Sequence, residues 1–268
     1  MDRPTWAPPD VDVNHPSPSR VYDYLLGGSH NFAVDREVAK QVLALAPQSA
    51  AVAKGNRGFL HRVVRELTAL GIDQFLDIGS GIPTIGNVHE TAQEQLPHAR
   101  VVYVDIDPIA VAHSHLMLTD NPNTGVVHGD LREPDSILSD PVTVQLLDFD
   151  RPMAVLLVAL LHFMSDEDNP MASLARLREV LVPGSYLVIS HLVARSDPLP
   201  GPHAAHERYN KAVATLTVRY RDEIAALFEG FTLIEPGLVN ADRWRPDSEI
   251  DPESDPLPVL AGVARLDA

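Results

Sequence analysis

Cysteine is absent from the 268-residue chain, which excludes a disulfide framework and thiolate metal sites. A cytoplasmic setting is the expectation. Long apolar runs are absent as well. The longest, Met153 to Leu161, suits a buried strand and falls short of the roughly 18–20 residues of a membrane helix, so no membrane partner is expected. The N-terminus lacks the charged-then-apolar pattern of an export signal. Positive charge is scarce: 21 Lys and Arg stand against 37 Asp and Glu, a formal net charge of −16. Such a surface repels phosphate backbones, so no nucleic-acid partner is expected. The one basic cluster, Lys54, Arg57, Arg62 and Arg65, lies on a predicted helix and reads as a solvated face. Also missing are a P-loop, a Gly-x-Ser-x-Gly elbow and a His-Glu-x-x-His pair.

Hydrophobic residues make up 45% of the chain, enough for a sizeable core. Residues 1–18 are proline-rich and read as a flexible arm. Ser17-Pro18 then starts a helix over Ser19–Leu26, which Gly27-Gly28 ends. Apolar spacing predicts a second helix from Val34 to Ala46 and a third from Gln48 to Leu70. From Ile72 the pattern changes to strands alternating with helices. Strands are predicted at Gln74–Ile78, Arg100–Val104, Gly125–His128, Met153–Ala159, Ser185–Ser190, Phe231–Glu235 and Pro258–Leu266. A helix follows the first strand to Pro97, with Ile85, Val88 and Leu96 on its apolar spacing. Others run from Asp107-Pro108 to Leu118 and from Asn169-Pro170. A long one covers Ala205–Glu229, with Tyr209, Val213, Tyr220, Ile224 and Leu227 near one face. This order predicts an α/β, doubly wound and mostly parallel sheet. The last two strands are joined by an acidic, proline-rich connector, Asn240 to Leu257, and without a crossover helix they are expected to pair antiparallel.

Ligands of such sheets bind at the carboxyl ends of the strands. Asp77 ends the first strand, Asp105 the second, and Asp130 follows the third. Gly79 and Gly81 let a backbone approach a ligand closely, and the helix behind them presents free N–H groups. A carboxylate at Asp105 suits the two hydroxyls of a ribose and disfavours a 2′-phosphate. Asp130 with Leu131 can frame an adenine. Thr84 stands where a dinucleotide fingerprint has its third glycine. Asp77, ahead of the first glycine, repels a pyrophosphate and suits a cationic headgroup. S-adenosyl-L-methionine joins ribose, adenine, sulfonium and amino acid without a phosphate, and it fits this set; a dinucleotide oxidoreductase is the more distant reading.

Leu76-Asp77-Ile78-Gly79-Ser80-Gly81 resembles motif I of the class I S-adenosylmethionine-dependent methyltransferases. Val104-Asp105 resembles their ribose acid and Gly129-Asp130-Leu131 their adenine motif. More narrowly, the chain is similar to a bacterial group of S-adenosyl methyltransferases long described as a domain of unknown function. The stretches that carry this are Ser19 to Gly28, Asn56-Arg57-x-Phe59-Leu60, Gln74 to Thr84 with Gly86 to Glu90, Leu161-His162-Phe163, Pro183 to His191 and Trp244-Arg245-Pro246. Ser29-His30-Asn31 departs from it, lacking a charged pair. The resemblance implies a Rossmann-like class I methyltransferase fold with a seven-stranded, mostly parallel sheet. The antiparallel last strand would be inserted between strands five and six. It also implies an N-terminal helical lid over residues 19–71 and a cofactor-binding domain over 72–268. In that frame Arg20, with Arg57 as second candidate, would pair with the methionine carboxylate. Tyr22, Asp23 or Tyr24 would shape the transfer pocket. Asp77, Gly79, Ser80, Gly81, Asp105, Ile106, Asp130, Leu131 and Ala159 would surround the cofactor, with S-adenosyl-L-homocysteine as product.

The histidines need separate weighing. His113-x-His115 points two ways on a helix and His203-x-x-His206 flanks a helix start, a poor basis for a metal site. His162 and His191 follow strands four and five. Each is either a base for an attacking oxygen or nitrogen, alongside Tyr24 in the transfer pocket, or a structural cap. A methyl on a sulfonium is already activated, so alignment and desolvation can supply most of the rate and a base is not required. After the fourth strand the chain reads Ala159-Leu160-Leu161-His162-Phe163, without the Pro-Pro-aromatic motif used to methylate nucleic-acid bases. The expectation is therefore a methyltransferase acting on a small molecule. The alternative is a non-catalytic protein that binds S-adenosylmethionine or S-adenosylhomocysteine on the same fold.

Overall fold

The computed structural model describes residues 12–83, 86–194, 200–251 and 253–268. Thr84 and Ile85, and residues 1–11 of the proline-rich arm, lie outside the described residues. Three helices come first: α1 (Pro18–Leu26), α2 (Ala33–Leu45) and α3 (Ser49–Ala69). Proline at the first helical position opens α1 and Gly27, in the left-handed region, closes it. The alternating part follows: β1 (Gln74–Ile78), α4 (Val88–Gln95), β2 (Arg100–Asp105), α5 (Pro108–Leu118), β3 (Thr124–His128), α6 (Pro134–Leu138), α7 (Pro141–Leu146), β4 (Ala154–Val158), α8 (Pro170–Val180) and β5 (Tyr186–Leu192). The chain ends through α9 (Pro200–Ala212), α10 (Arg221–Ala226), β6 (Thr232–Leu233), β7 (Val239–Asn240) and β8 (Val259–Arg265). Among the described residues no helix is long and apolar enough to cross a membrane.

The strands form one sheet in the order β3-β2-β1-β4-β5-β8-β6. β1 to β5 are parallel, and β8 lies between β5 and β6, antiparallel to both. The sheet has eight strands rather than the expected seven. The addition, β7, is two residues long and pairs with β8 through Val239–Ala261 and Asn240–Leu260. It begins the acidic connector, where so short a pairing leaves no periodic pattern to read.

Alternation along the strands sorts the side chains onto two faces. Leu76, Ile78, Val102, Val104, Leu157, Leu187 and Ile189 enter one core with α6, α8 and α10. Phe75, Val101, Tyr103, Leu156 and Val188 enter the other, against α4 and against Phe59, Val63 and Leu67 of α3. Residues before and after position 71 thus share one core. α3 is part of the sheet's cover, whereas α2 lies outside it and packs against α9.

The long helix expected over Ala205–Glu229 is two helices. α9 stops near Asn210, whose side-chain oxygen accepts from Leu216 N at 2.9 Å, and α10 starts at Arg221. Between them Arg219 forms a bridge with Val193 just past β5, and Ala194 N donates to Arg219 O at 2.8 Å. Val213, Thr215, Thr217 and Val218 are β-branched and lose rotamer freedom in a helix. The aromatic and aliphatic spacing that suggested a helix comes from two separate elements.

The basic cluster on α3 is also corrected. Arg62 is buried and its guanidinium donates to Trp244 O at 2.9 Å and Ala241 O at 2.7 Å. It holds the connector on α3, where Trp244 packs edge-on against Phe59 and Arg245 stacks over the indole.

Candidate functional site

β1 is buried along its whole length and ends in Asp77-Ile78, after which the chain must turn sharply to reach α4. Gly79 and Gly81 make that turn with φ of 75° and 69°, values that side-chain-bearing residues rarely adopt. A side chain at Gly79 would also strike Leu160, whose Cδ1 lies 2.7 Å from the place of a Cβ. At Gly81 none of the described residues lies within 4 Å of that place. The turn is held from behind: Gly79 N and Ser80 N donate to Val104 O at 2.8 and 3.1 Å, and Gly81 N donates to Asp105 Oδ2 at 2.7 Å.

Asp77 lies on the same sheet face as Phe75 and Tyr103, under α3. It is 4% exposed, and its carboxylate accepts no hydrogen bond from the described residues. Burial pushes its pKa up to about 7; the Arg57 guanidinium on α3 opposes this and the charge of Asp105 adds to it. Asp105 is raised to about 6, again by burial, against hydrogen bonds from Asp107 N and Gly81 N. Its Oδ1 accepts from Asp107 N at 2.8 Å and stands 3.5 Å from the Ser19 hydroxyl of α1. Asp107 caps α5 through Ile109 N and accepts from the Ser17 hydroxyl. The start of α1 therefore sits on the acids at the end of β2. Ile106, next to Asp105, is 53% exposed, and its carbonyl meets His128 Nε2 at 3.0 Å.

Asp130 lies after β3 with its carboxylate on Arg132, which reaches Asp168 as well. The three acids thus stand at the carboxyl ends of β1, β2 and β3, three neighbouring strands. Leu131 is buried in the core below this edge.

The expectation for Arg20 needs revision. The side chain is 3% exposed, and its Nε pairs with buried Asp35 at 3.3 Å. Nη2 donates to His15 O and the guanidinium covers the Phe32 ring. Its charge is committed to joining α1 to α2. Asp23 is likewise buried and accepts from His30 N and Asn31 Nδ2 at 2.9 and 2.7 Å, bracing the α1–α2 loop. The Tyr22 hydroxyl points to α3, donating to Ala53 O at 3.0 Å. The Tyr24 hydroxyl has no hydrogen-bond partner among the described residues.

His162 lies in a 3₁₀ turn, Leu161–Phe163, just past β4. It is buried, its Nδ1 has no hydrogen-bond partner among the described residues, and burial holds its pKa well below the usual histidine value, with His191 and Arg219 adding to this. His191 is part of β5 rather than beyond it and points to the opposite face from Ser190. Nδ1 donates to Leu192 O at 2.7 Å and Nε2 accepts from Arg219 at 2.9 Å. Both nitrogens are committed and its pKa is pressed down to about 4, chiefly by burial, so in this arrangement it braces the end of β5.

Three residues important to this edge were not anticipated in these roles. Arg219 donates to Leu161 O and Met164 O, both at 3.0 Å, and so clamps the turn that carries His162; nothing in its flanking sequence marks it. Ser190 and Asn56 are buried polar residues that meet at 2.6 Å. Asn56 was readable as inward-facing, being three and seven residues before Phe59 and Val63 on one helix.

The S-adenosyl methyltransferase family matches residues 4–267. The crystal structure of a candidate methyltransferase from Thermobifida fusca is 40% identical, with a TM-score of 0.92 over 98% of this chain and 100% of that one. A DUF574 family protein from Streptomyces avermitilis is 36% identical, with a TM-score of 0.90 over 95% of this chain and 98% of that one. Human N-acetylserotonin methyltransferase, solved in complex with SAM, shares the fold at 16% identity, with a TM-score of 0.50 over 92% of this chain and 62% of that one. No curated protein matches. The chain belongs to the S-adenosyl methyltransferase family and carries its Rossmann-like fold, with the glycine turn and strand-end acids at the expected edge of the sheet.

Proposed function

We propose that the chain binds S-adenosyl-L-methionine at the carboxyl ends of β1 to β4 and transfers its methyl group to a small-molecule acceptor by in-line displacement. The observation that carries this is Asp77. A carboxylate that is buried, accepts no hydrogen bond from the described residues and borders a glycine turn is an expensive feature unless a cation completes it. The α-ammonium of the cofactor is such a cation. Asp105 would take the ribose hydroxyls, exposed Ile106 would lie against the adenine, and Asp130 beside Leu131 would accept from the exocyclic amine. With Arg20 committed to Asp35, Arg57 is the better partner for the methionine carboxylate, because its charge already reaches Asp77.

S-adenosylmethionine supplies a methyl group on a sulfonium that leaves without further activation. What the protein adds is alignment, exclusion of water and, where the acceptor needs it, a place for a proton. Neutral His162, whose Nδ1 has no partner among the described residues, can accept a proton from an attacking oxygen or nitrogen. Ala159, at the end of β4, and Tyr24 of α1 would border the transfer path. The strongly acidic surface and the residues after β4 favour a small acceptor over nucleic acid.

Calorimetric titration with S-adenosylhomocysteine tests cofactor binding, and a radiolabelled methyl donor offered with a panel of small hydroxyl and amine compounds tests transfer. Binding together with label in a product supports an enzyme. Binding without product under every condition would favour a sensor on the same fold.

A further inference from the structure

One chain of hydrogen bonds runs from the N-terminal helix to the end of β4 through Asn56 and Ser190, which the cofactor reading leaves without a role. Ala159 N is shared between two acceptors, Ser190 Oγ at 2.9 Å and, more weakly, Ser190 O at 3.2 Å. The Ser190 hydroxyl donates to Asn56 Oδ1 at 2.6 Å, Asn56 Nδ2 donates to the Tyr22 hydroxyl at 3.1 Å, and that hydroxyl donates to Ala53 O at 3.0 Å. Each acceptor is the donor of the next bond, so the bonds polarise one another and the Asn56 amide can sit only one way round. Asn56 is 3% exposed and Ser190 fully buried, which keeps the Ser190–Asn56 bond at the middle of the chain from competing water.

Its inner end is unusual. Ala159 has φ of 57°, a left-handed conformation that alanine seldom adopts, and such outliers persist only where the surroundings hold them. The next residue, Leu160, presses on Gly79 of the glycine turn, and His162 follows two residues later. The conformation of Ala159 thus sets both the packing on the turn and the entry to the His162 segment.

We propose that Asn56 is a positioning residue that ties the seating of α1 to the backbone of Ala159, so that the segment after β4 keeps its site-forming shape only while α1 is docked. Tyr22 is the sensor end of this link and Ser190 its effector end. Burial raises the Tyr22 pKa, so the hydroxyl keeps the proton it donates to Ala53. The effect on binding rests on the cofactor reading above; the effect on Ala159 does not.

The test is hydrogen exchange at the Ala159 amide in the full-length, ligand-free protein, comparing wild type with Tyr22→Phe, Asn56→Ala and Ser190→Ala. Tyr22→Phe removes one hydroxyl, keeps the ring and touches neither Ser190 nor Ala159. Exchange at Ala159 is expected to quicken at least threefold in all three variants, and Tyr22→Phe added to Asn56→Ala should give no further increase. Wild-type exchange at Ala159 in Tyr22→Phe, or simple additivity in the double variant, would overturn the link. Titration with S-adenosylhomocysteine then separates the two readings. Wild type that binds while Tyr22→Phe binds three- to tenfold more weakly supports the link's role in the site, and equal affinity overturns that role. Wild type that fails to bind overturns the cofactor reading and leaves the exchange result to judge the link.

Discussion

A buried carboxylate without a hydrogen-bond donor is costly, and Asp77, which has none among the described residues, is where this chain bears that cost. Unfolded, it titrates near 3.8; folded, burial raises it to about 7. Between these values the folded state holds the proton that the unfolded state has lost, so the contribution of Asp77 to stability falls as pH rises from about 4 to about 7 and is flat above. His191 acts with the opposite sign, since its folded pKa of about 4 lies below the usual 6.5 and stability is lost as pH falls through that interval. The variant Asp77→Asn removes only the first effect. At pH 8 it should be more stable than wild type by about 1–3 kcal/mol and so unfold at a higher temperature, and the two should converge near pH 4. Thermal melts across that range check this; equal midpoints at pH 8 would show that the carboxylate is not strained. Asp77 was legible from its place at the end of a buried strand. The true orientation of His191 was legible too, because neighbouring strand residues face opposite sides and Ser190 faces α3. The commitment of Arg20 was not, since it depends on Asp35, which reaches it only once α2 has folded back on α1.

At the scale of elements, the segment between α9 and α10 does more than connect them. Thr217 N donates to His162 O at 2.7 Å, and Arg219 holds the carbonyls of Leu161 and Met164 while it supports His191. Its guanidinium is buried, with Asp166 at 2.8 Å as its exposed counter-ion. Arg219→Ala leaves two carbonyls and one imidazole nitrogen without donors, and a loss of about 2–4 kcal/mol in urea unfolding is expected. Methyl transfer should fall further than S-adenosylhomocysteine affinity, because the released turn carries His162 and not the acids. A variant as stable as wild type would contradict the clamp. The parallel strands, with their unbroken apolar runs, and the helices opened by Pro108 and Pro170 declare themselves in sequence. The α9–α10 segment does not. Two short helices whose apolar residues happen to fall in phase mimic one long helix, and the interruption is fixed by partners on β5 and the turn after β4.

For the whole molecule, the boundary that matters is not the one where strands begin. Phe59, Val63 and Leu67 of α3 fill the same core as Phe75, Val101 and Leu156, and Arg62 pins the Trp244 connector to the same helix. A fragment covering residues 72–268 would expose that sheet face and should show no cooperative urea transition; a sharp transition with native-like secondary structure would prove the sheet autonomous. The change of pattern at Ile72 marks a change of secondary structure, and such a change carries no information on which surfaces pack together. α1 and α2 are the part that sits over the strand-end acids, through Ser17, Ser19 and the Arg20–Asp35 pair. The most direct measurement of the cofactor site is calorimetric binding of S-adenosylhomocysteine from pH 5.5 to 8, in wild type and Asp77→Asn. If the ammonium of the ligand completes Asp77, binding should release a proton at the lower pH values. Wild-type affinity should then rise about thirtyfold across the range, and Asp77→Asn should bind at least tenfold more weakly at pH 8 with a smaller dependence on pH. Equal affinity in the two proteins at pH 8 would contradict it.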